Sequence, residues 1–126
     1  MLTATNTTDA PAAIGPYSQA IRCGDLLFSS GQIPLNAKSG EIVGSGISSQ
    51  AEQVMKNIEA ILKANGISFD AVIKTTCFLT DMADFAAFNE VYSKYFAADP
   101  KPARSTVAVR GLPKGVLCEV ELIAKV

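Results

Sequence analysis

The stretch Val116-Leu117-Cys118-Glu119-Val120-Glu121-Leu122-Ile123-Ala124-Lys125-Val126 sets the terms for the fold. It reads as one long strand. Side chains alternate across a strand, so Cys118, Val120, Leu122 and Ala124 share one face, while Leu117, Glu119, Glu121 and Ile123 share the other. The first face suits a helix-covered core. The second mixes aliphatics with carboxylates, which suits a subunit interface carrying polar groups at its edge.

Working outward, Leu112-Pro113-Lys114-Gly115 is a turn, and Ala103 to Val109 is a second strand. Pro100 and Pro102 end a helix that carries Phe85, Phe88, Tyr92, Tyr95 and Phe96 along one side, with Asp81 or Asp84 as its cap. Asp70 to Thr80 is β-rich and apolar on both faces, which predicts a strand covered on both sides. Ser49-Gln50-Ala51-Glu52 matches a capping box ahead of the stripe Val54, Met55, Ile58, Ile61 and Leu62, and Gly66 supplies a left-handed stop. Tyr17 to Arg22 and Leu26 to Ser30, joined by Cys23-Gly24-Asp25, read as a hairpin. Residues 34–46 read as mostly loop with one short strand near Glu41-Ile42-Val43, and the first sixteen residues are small and polar, with Pro11 and Pro16 forbidding a helix across them. The order is ββαβαββ. Two helices cover one face of a single mixed sheet, which makes the expected class α+β.

The 126 residues predict one domain over 1–126. Eleven basic and twelve acidic residues leave a net charge of −1, which disfavours nucleic acid as the main partner because a phosphate-tracking face needs surplus Lys and Arg. Histidine is absent, which removes Ser-His-Asp and Cys-His chemistry and the usual zinc sites. Cys23, Cys77 and Cys118 form no CxxC pair and read as small apolar residues in a reducing compartment. No apolar run approaches the ~20 residues of a membrane helix, and the N-terminus lacks the pattern of a secretory signal. The expectation is a cytoplasmic protein with no membrane association.

Without histidine, proton transfer falls to carboxylates, tyrosines, lysines or water. Glu119, inside an apolar strand, is either a candidate acid–base group or an edge-strand charge that discourages aggregation, and Glu121 shares its face. Arg104 is one of three arginines and opens a strand after Pro102-Ala103. Its planar fork suits a carboxylate, although a surface salt bridge is the plainer alternative. Ser29-Ser30-Gly31-Gln32 could bring backbone amides to a ligand or simply end a strand. Tyr17 could wall a pocket or anchor the N-terminus, and Asn89 is a solvated position or a polar contact across an interface.

Five segments occur in order: Ala12-Ala13-Ile14-Gly15-Pro16-Tyr17-Ser18-Gln19-Ala20, Ser30-Gly31-Gln32-Ile33-Pro34, Val72-Ile73-Lys74-Thr75-Thr76, Pro102-Ala103-Arg104-Ser105 with Leu112-Pro113, and Glu119-Val120-Glu121. Together, over essentially the whole chain, they closely resemble the reactive intermediate deaminase A (RidA/YjgF) family. The resemblance implies a chorismate-mutase-like domain and a homotrimer whose sheets form a barrel-like core with clefts between subunits. It implies hydrolysis of 2-imino acids, released by pyridoxal-phosphate dehydratases, to 2-keto acids and ammonia, with no metal and no cofactor. Arg104 then matches the carboxylate clamp, Gly31 the assisting backbone amide, and Glu119 the group that activates water. Tyr17, Ser30 and Asn89 match pocket residues. Thr106 stands where many relatives carry cysteine, at a position whose contact is through the main chain. The alternatives are a trimeric ligand-binding or chaperone-like module without turnover and, least favoured by the charge, a ribonuclease.

Overall fold

Strand β6 (Cys118–Lys125) runs antiparallel between β3 (Leu26–Ser29) and β4 (Val72–Leu79) in a six-stranded sheet of order β1-β2-β3-β6-β4-β5. The computed structural model describes residues 1–126. Strands β1 (Leu2–Thr5), β2 (Ala20–Cys23) and β3 form an antiparallel meander, and β5 (Ala103–Ala108) pairs parallel with β4. Helices α1 (Ile47–Ala64) and α2 (Phe85–Tyr95) lie on one side. The α+β arrangement of two helices on a mixed sheet is therefore as the sequence indicates. No helix is long and apolar enough to cross a membrane.

The alternation read in the last strand is present. Cys118, Val120, Leu122 and Ala124 are buried, whereas Glu121 is exposed and Glu119 and Ile123 are half-buried. Against the buried row pack Val54, Met55, Ile58, Ile61 and Leu62 of α1, each essentially inaccessible. Full burial of side chains of this size stabilises by about 1.5–3 kcal/mol each before entropy is charged against it. Helix α1 stops where Gly66 turns left-handed (φ +72°): its N–H reaches Lys63 O and that of Ile67 reaches Leu62 O, satisfying two orphan carbonyls.

Several local expectations are corrected. Leu2–Thr5 is a strand, paired residue for residue with Ala20–Cys23, so the order is βββαβαββ. Its side chains are largely exposed, and backbone pairing rather than an apolar pattern holds it. The capping box does not form: α1 begins at Ile47 after Gly46, Ser49 Oγ donates to Gly46 O, and Glu52 accepts from Tyr95 Oη. Asp81, not Asp84, caps the turn before α2, accepting from Ala83 N at 2.9 Å. A 3-10 turn occupies Phe69–Ala71, so β4 starts only at Val72. Glu41-Ile42-Val43 forms no strand, only a bridge between Ile42 and Leu35. Within one chain β4 is covered on one side only: Ile73 at its start and, opposite Phe78 on β5, Val107 remain 45% and 44% exposed. The face away from the helices keeps its apolar side chains open.

Candidate active site

Two concave regions, one on each side of the sheet, collect the residues singled out in the sequence, Thr106 excepted. The first centres on Glu119. Gln32 and Val120 exchange backbone hydrogen bonds of 2.8 and 3.1 Å, which lays Gly31 beneath the Glu119 side chain. A β-carbon at Gly31 would stand 2.7 Å from Glu119 Cδ, so any larger residue there forces the carboxylate aside. Ser30 donates its hydroxyl to Ser18 O (2.5 Å), and its N–H donates to Gln19 O. These bonds tie the Tyr17 loop to the end of β3. Tyr17 is 53% exposed and stands at the rim. Tyr17, Ser30, Gly31, Glu119, Glu121 and Lys114 border a cavity of about 670 Å³, whose apolar walls include Ile33 and Leu35. Burial pushes the Glu119 carboxyl above the ordinary carboxylate range, and the neighbouring Glu121 charge adds to the shift.

The second region centres on Arg104. Its register opposite Thr75 turns it toward α2, since Thr75 is itself buried against Tyr92. One helical stripe, Phe85, Asn89 and Tyr92, meets the guanidinium. Nη1 donates to Asn89 Oδ1 at 2.6 Å, and Cζ lies 5.4 Å from the Phe85 ring centre and 4.7 Å from that of Tyr92. Arg104 has no carboxylate partner; the chain's ion pairs are Lys101–Asp99 and Lys125–Asp25. Asn89, Tyr92, Ser93, Lys101 and Arg104 border a cavity of about 390 Å³. Asn89 thus directs its carbonyl at Arg104 within the chain, a contact the sequence does not indicate.

Arg104 and Glu119 are not brought together within one chain. Arg104 pairs with Thr75, on the helix side, and Glu119 with Phe78, three residues on and therefore on the opposite side. Thr106 lies opposite Cys77 and borders neither cavity; its buried hydroxyl oxygen has no hydrogen-bond partner. Burial pushes the Cys77 thiol up to about 11 and the Cys118 thiol up to about 12, so both stay protonated and unreactive near neutrality. No cluster of three or more His, Cys, Asp or Glu side chains has the arrangement to hold a metal ion.

Some supporting residues escape a reading by motif. Gln19 binds Thr7 and Pro11 backbone groups, and Asn57 donates to Ile33 O and Leu35 O at 3.1 and 3.0 Å. Both are buried and hold the loops that wall the Glu119 cavity. The available signal was an amide embedded in an apolar stretch, as Asn57 is beside Ile58. The sequence places Tyr92 in the aromatic row of the second helix, and only the structure shows it against Arg104.

The profile of the family described as Endoribonuclease L-PSP matches residues 7–126. A Lactococcus lactis protein carrying a regulator's name, AldR, is 61% identical over 120 residues, covering 95% of this chain and 94% of that protein. The mouse protein named 2-iminobutanoate/2-iminopropanoate deaminase is 47% identical over 119 residues, covering 94% and 87%. The crystal structure of RidA from an Antarctic Psychrobacter superposes with a TM-score of 0.93 at 42% identity, covering 98% and 99%. The chain belongs to the Endoribonuclease L-PSP family, the RidA/YjgF group.

Proposed function

We propose that this protein hydrolyses small 2-imino acids, of the 2-iminobutanoate and 2-iminopropanoate class, to 2-keto acids and ammonia. The observation that carries the reading is Arg104, a half-buried guanidinium seated against two aromatic rings with no anionic partner in its own chain. Such a cation suits a substrate carboxylate. The name of the mouse relative supports the substrate class.

In this reading the working site lies between subunits of a homotrimer, where Arg104 of one subunit faces the Tyr17, Ser30, Gly31 and Glu119 cavity of its neighbour. The open apolar side chains Phe28, Ile73 and Val107 give the sheet face a reason to be covered. Arg104 and the Gly31 amide hold the carboxylate, Tyr17, Ser30 and Asn89 shape the pocket, and Thr106 contributes through its main chain. Glu119 takes a proton from water as the oxygen adds to the imine carbon, and the C=N electron pair passes to nitrogen, which gains a proton. The resulting carbinolamine loses ammonia as the hydroxyl proton leaves and C=O forms. The imine carbon is already electrophilic, so one placed water, one base and one fixed cation suffice. The raised affinity of Glu119 for protons suits it to both halves of this transfer. The cytoplasm, where thiols such as the exposed Cys23 stay reduced, is the proposed compartment.

A second reading, a ligand-binding regulator without turnover, draws on the name of the Lactococcus relative. A pure carboxylate receptor has no use for Glu119 at the same site. The test generates imine with a serine or threonine dehydratase and follows its disappearance with wild type, Arg104→Ala and Glu119→Ala. Acceleration by wild type, lost in both variants, is expected. Binding of 2-oxobutanoate without acceleration would favour the regulator, and undiminished turnover by Arg104→Ala would sink the proposal. RNA cleavage lost on Glu119 substitution would instead favour a nuclease.

A further inference from the structure

We propose that Tyr92 is a positioning residue for Arg104, its ring fixing the direction in which the guanidinium meets the substrate carboxylate. The inference rests on the reading of Arg104 as the carboxylate clamp. Three observations carry it. The Tyr92 ring centre lies 4.7 Å from Arg104 Cζ, closer than Phe85 at 5.4 Å, and Tyr92 borders the Arg104 cavity whereas Phe85 does not. The Tyr92 hydroxyl is hydrogen-bonded to Thr75 Oγ1 at 2.8 Å, and Thr75 is the residue directly across the ladder from Arg104. Ring and guanidinium are therefore referenced to the same rung of the sheet. Third, Asn89 Oδ1 takes Nη1 from one turn earlier on the same helical face, at 2.6 Å.

A long arginine side chain alone would sample many rotamers, and each lost on binding weakens the ligand. Here a hydrogen bond holds one corner of the plane and an aromatic ring opposes it, leaving Nε and Nη2 for a carboxylate. Tyr92 is 7% exposed and packs in tilted contact with the rings of Phe88 and Phe96, so its burial alone would be ordinary for a core residue. The hydroxyl pinned to Thr75 and the ring against a cation distinguish it from one.

The test measures steady-state hydrolysis of 2-iminopropanoate and titrates 2-oxobutanoate into Tyr92→Leu, Tyr92→Phe, Thr75→Val and the Phe/Val double variant, with Arg104→Ala alongside. Loss of the ring in Tyr92→Leu is expected to raise KM and the 2-oxobutanoate Kd about tenfold with kcat within about twofold, the size of a partly desolvated cation–π contact. Tyr92→Phe keeps the ring and is expected to rescue most of this, with KM raised about two- to threefold. Thr75→Val breaks the same hydrogen bond and is expected to match it, and the double variant to be no worse than either single. Should Tyr92→Leu fail to fold, the cycle through Phe and Val decides. Unchanged KM in folded Tyr92→Leu, a loss confined to kcat, or multiplying effects in the double variant would overturn the role. If Arg104→Ala itself leaves KM and Kd unchanged, the clamp reading fails, and this inference with it.

Discussion

Glu119 lies over Gly31 so closely that a β-carbon on the glycine would stand 2.7 Å from Cδ and 2.9 Å from Cγ of the glutamate. Gly31 has no positive φ, so what its glycine secures is room for the Glu119 carboxylate rather than relief of backbone strain. Gly31→Ala is expected to push the carboxylate out of place, reducing kcat for imine hydrolysis by about 100-fold, the low end of a lost acid–base group. Circular dichroism should show the fold retained. Wild-type turnover in Gly31→Ala would mean that the placement of Glu119 over the glycine does not matter.

Glu119 carries a stability signature of its own. Its folded pKa is raised, by burial first and by Glu121 second, so the folded state favours the protonated carboxyl. The resulting penalty is absent below the ordinary carboxylate range and grows as pH rises through the raised value. Glu119→Gln should therefore raise the thermal midpoint near pH 7 and leave it nearly unchanged near pH 3, while abolishing turnover. Equal midpoint shifts at both pH values would contradict the linkage. The gain should be small because the carboxyl is only half-buried.

Glu121→Gln tests the same group kinetically. In the proposed hydrolysis Glu119 is the base, so activity is expected to fall as pH drops through its raised pKa, and removing the Glu121 charge lowers that pKa. The acid limb of the rate profile is expected to move toward lower pH by a fraction of a unit, since Glu121 is exposed and screened. Lys114 and Tyr17 border the same cavity and are unchanged in this comparison. A limb that stays in place would assign it to another group.

Asn57→Ala removes the tether of the loop behind the cavity. Two carbonyls, Ile33 O and Leu35 O, lose the Asn57 donor, and Gln53 Nε2 loses the nearer of its two acceptors, keeping Leu35 O at 3.4 Å. The expected cost is about 1–3 kcal/mol in chemical denaturation, with a higher KM because Ile33 and Leu35 wall the cavity. Unaltered stability would show that water replaces the lost partners.

The β6 alternation, the α1 stripe and the aromatic row of α2 were legible because burial imposes a period on local sequence. The N-terminal strand was not, since Leu2–Thr5 is held by backbone bonds to β2 and exposes most of its side chains. The capping box failed because the helix begins at Ile47, which puts Ser49 inside its first turn, and Glu52 instead accepts from Tyr95 of the other helix, a contact no local pattern records.

By itself the sequence determined the class, two amphipathic helices over a sheet, and the chemical inventory: no histidine, one carboxylate inside an apolar strand, and an arginine opening another. Tertiary structure alone decided their company. Parallel pairing of β5 with β4 places Arg104 opposite Thr75 and under Tyr92, while antiparallel pairing of β6 with β4 puts Glu119 opposite Phe78, on the other face. Side-chain direction in a sheet is set by register across strands far apart in the chain. A one-residue slip reverses it, so local sequence names the groups and pairing between distant segments decides which of them meet.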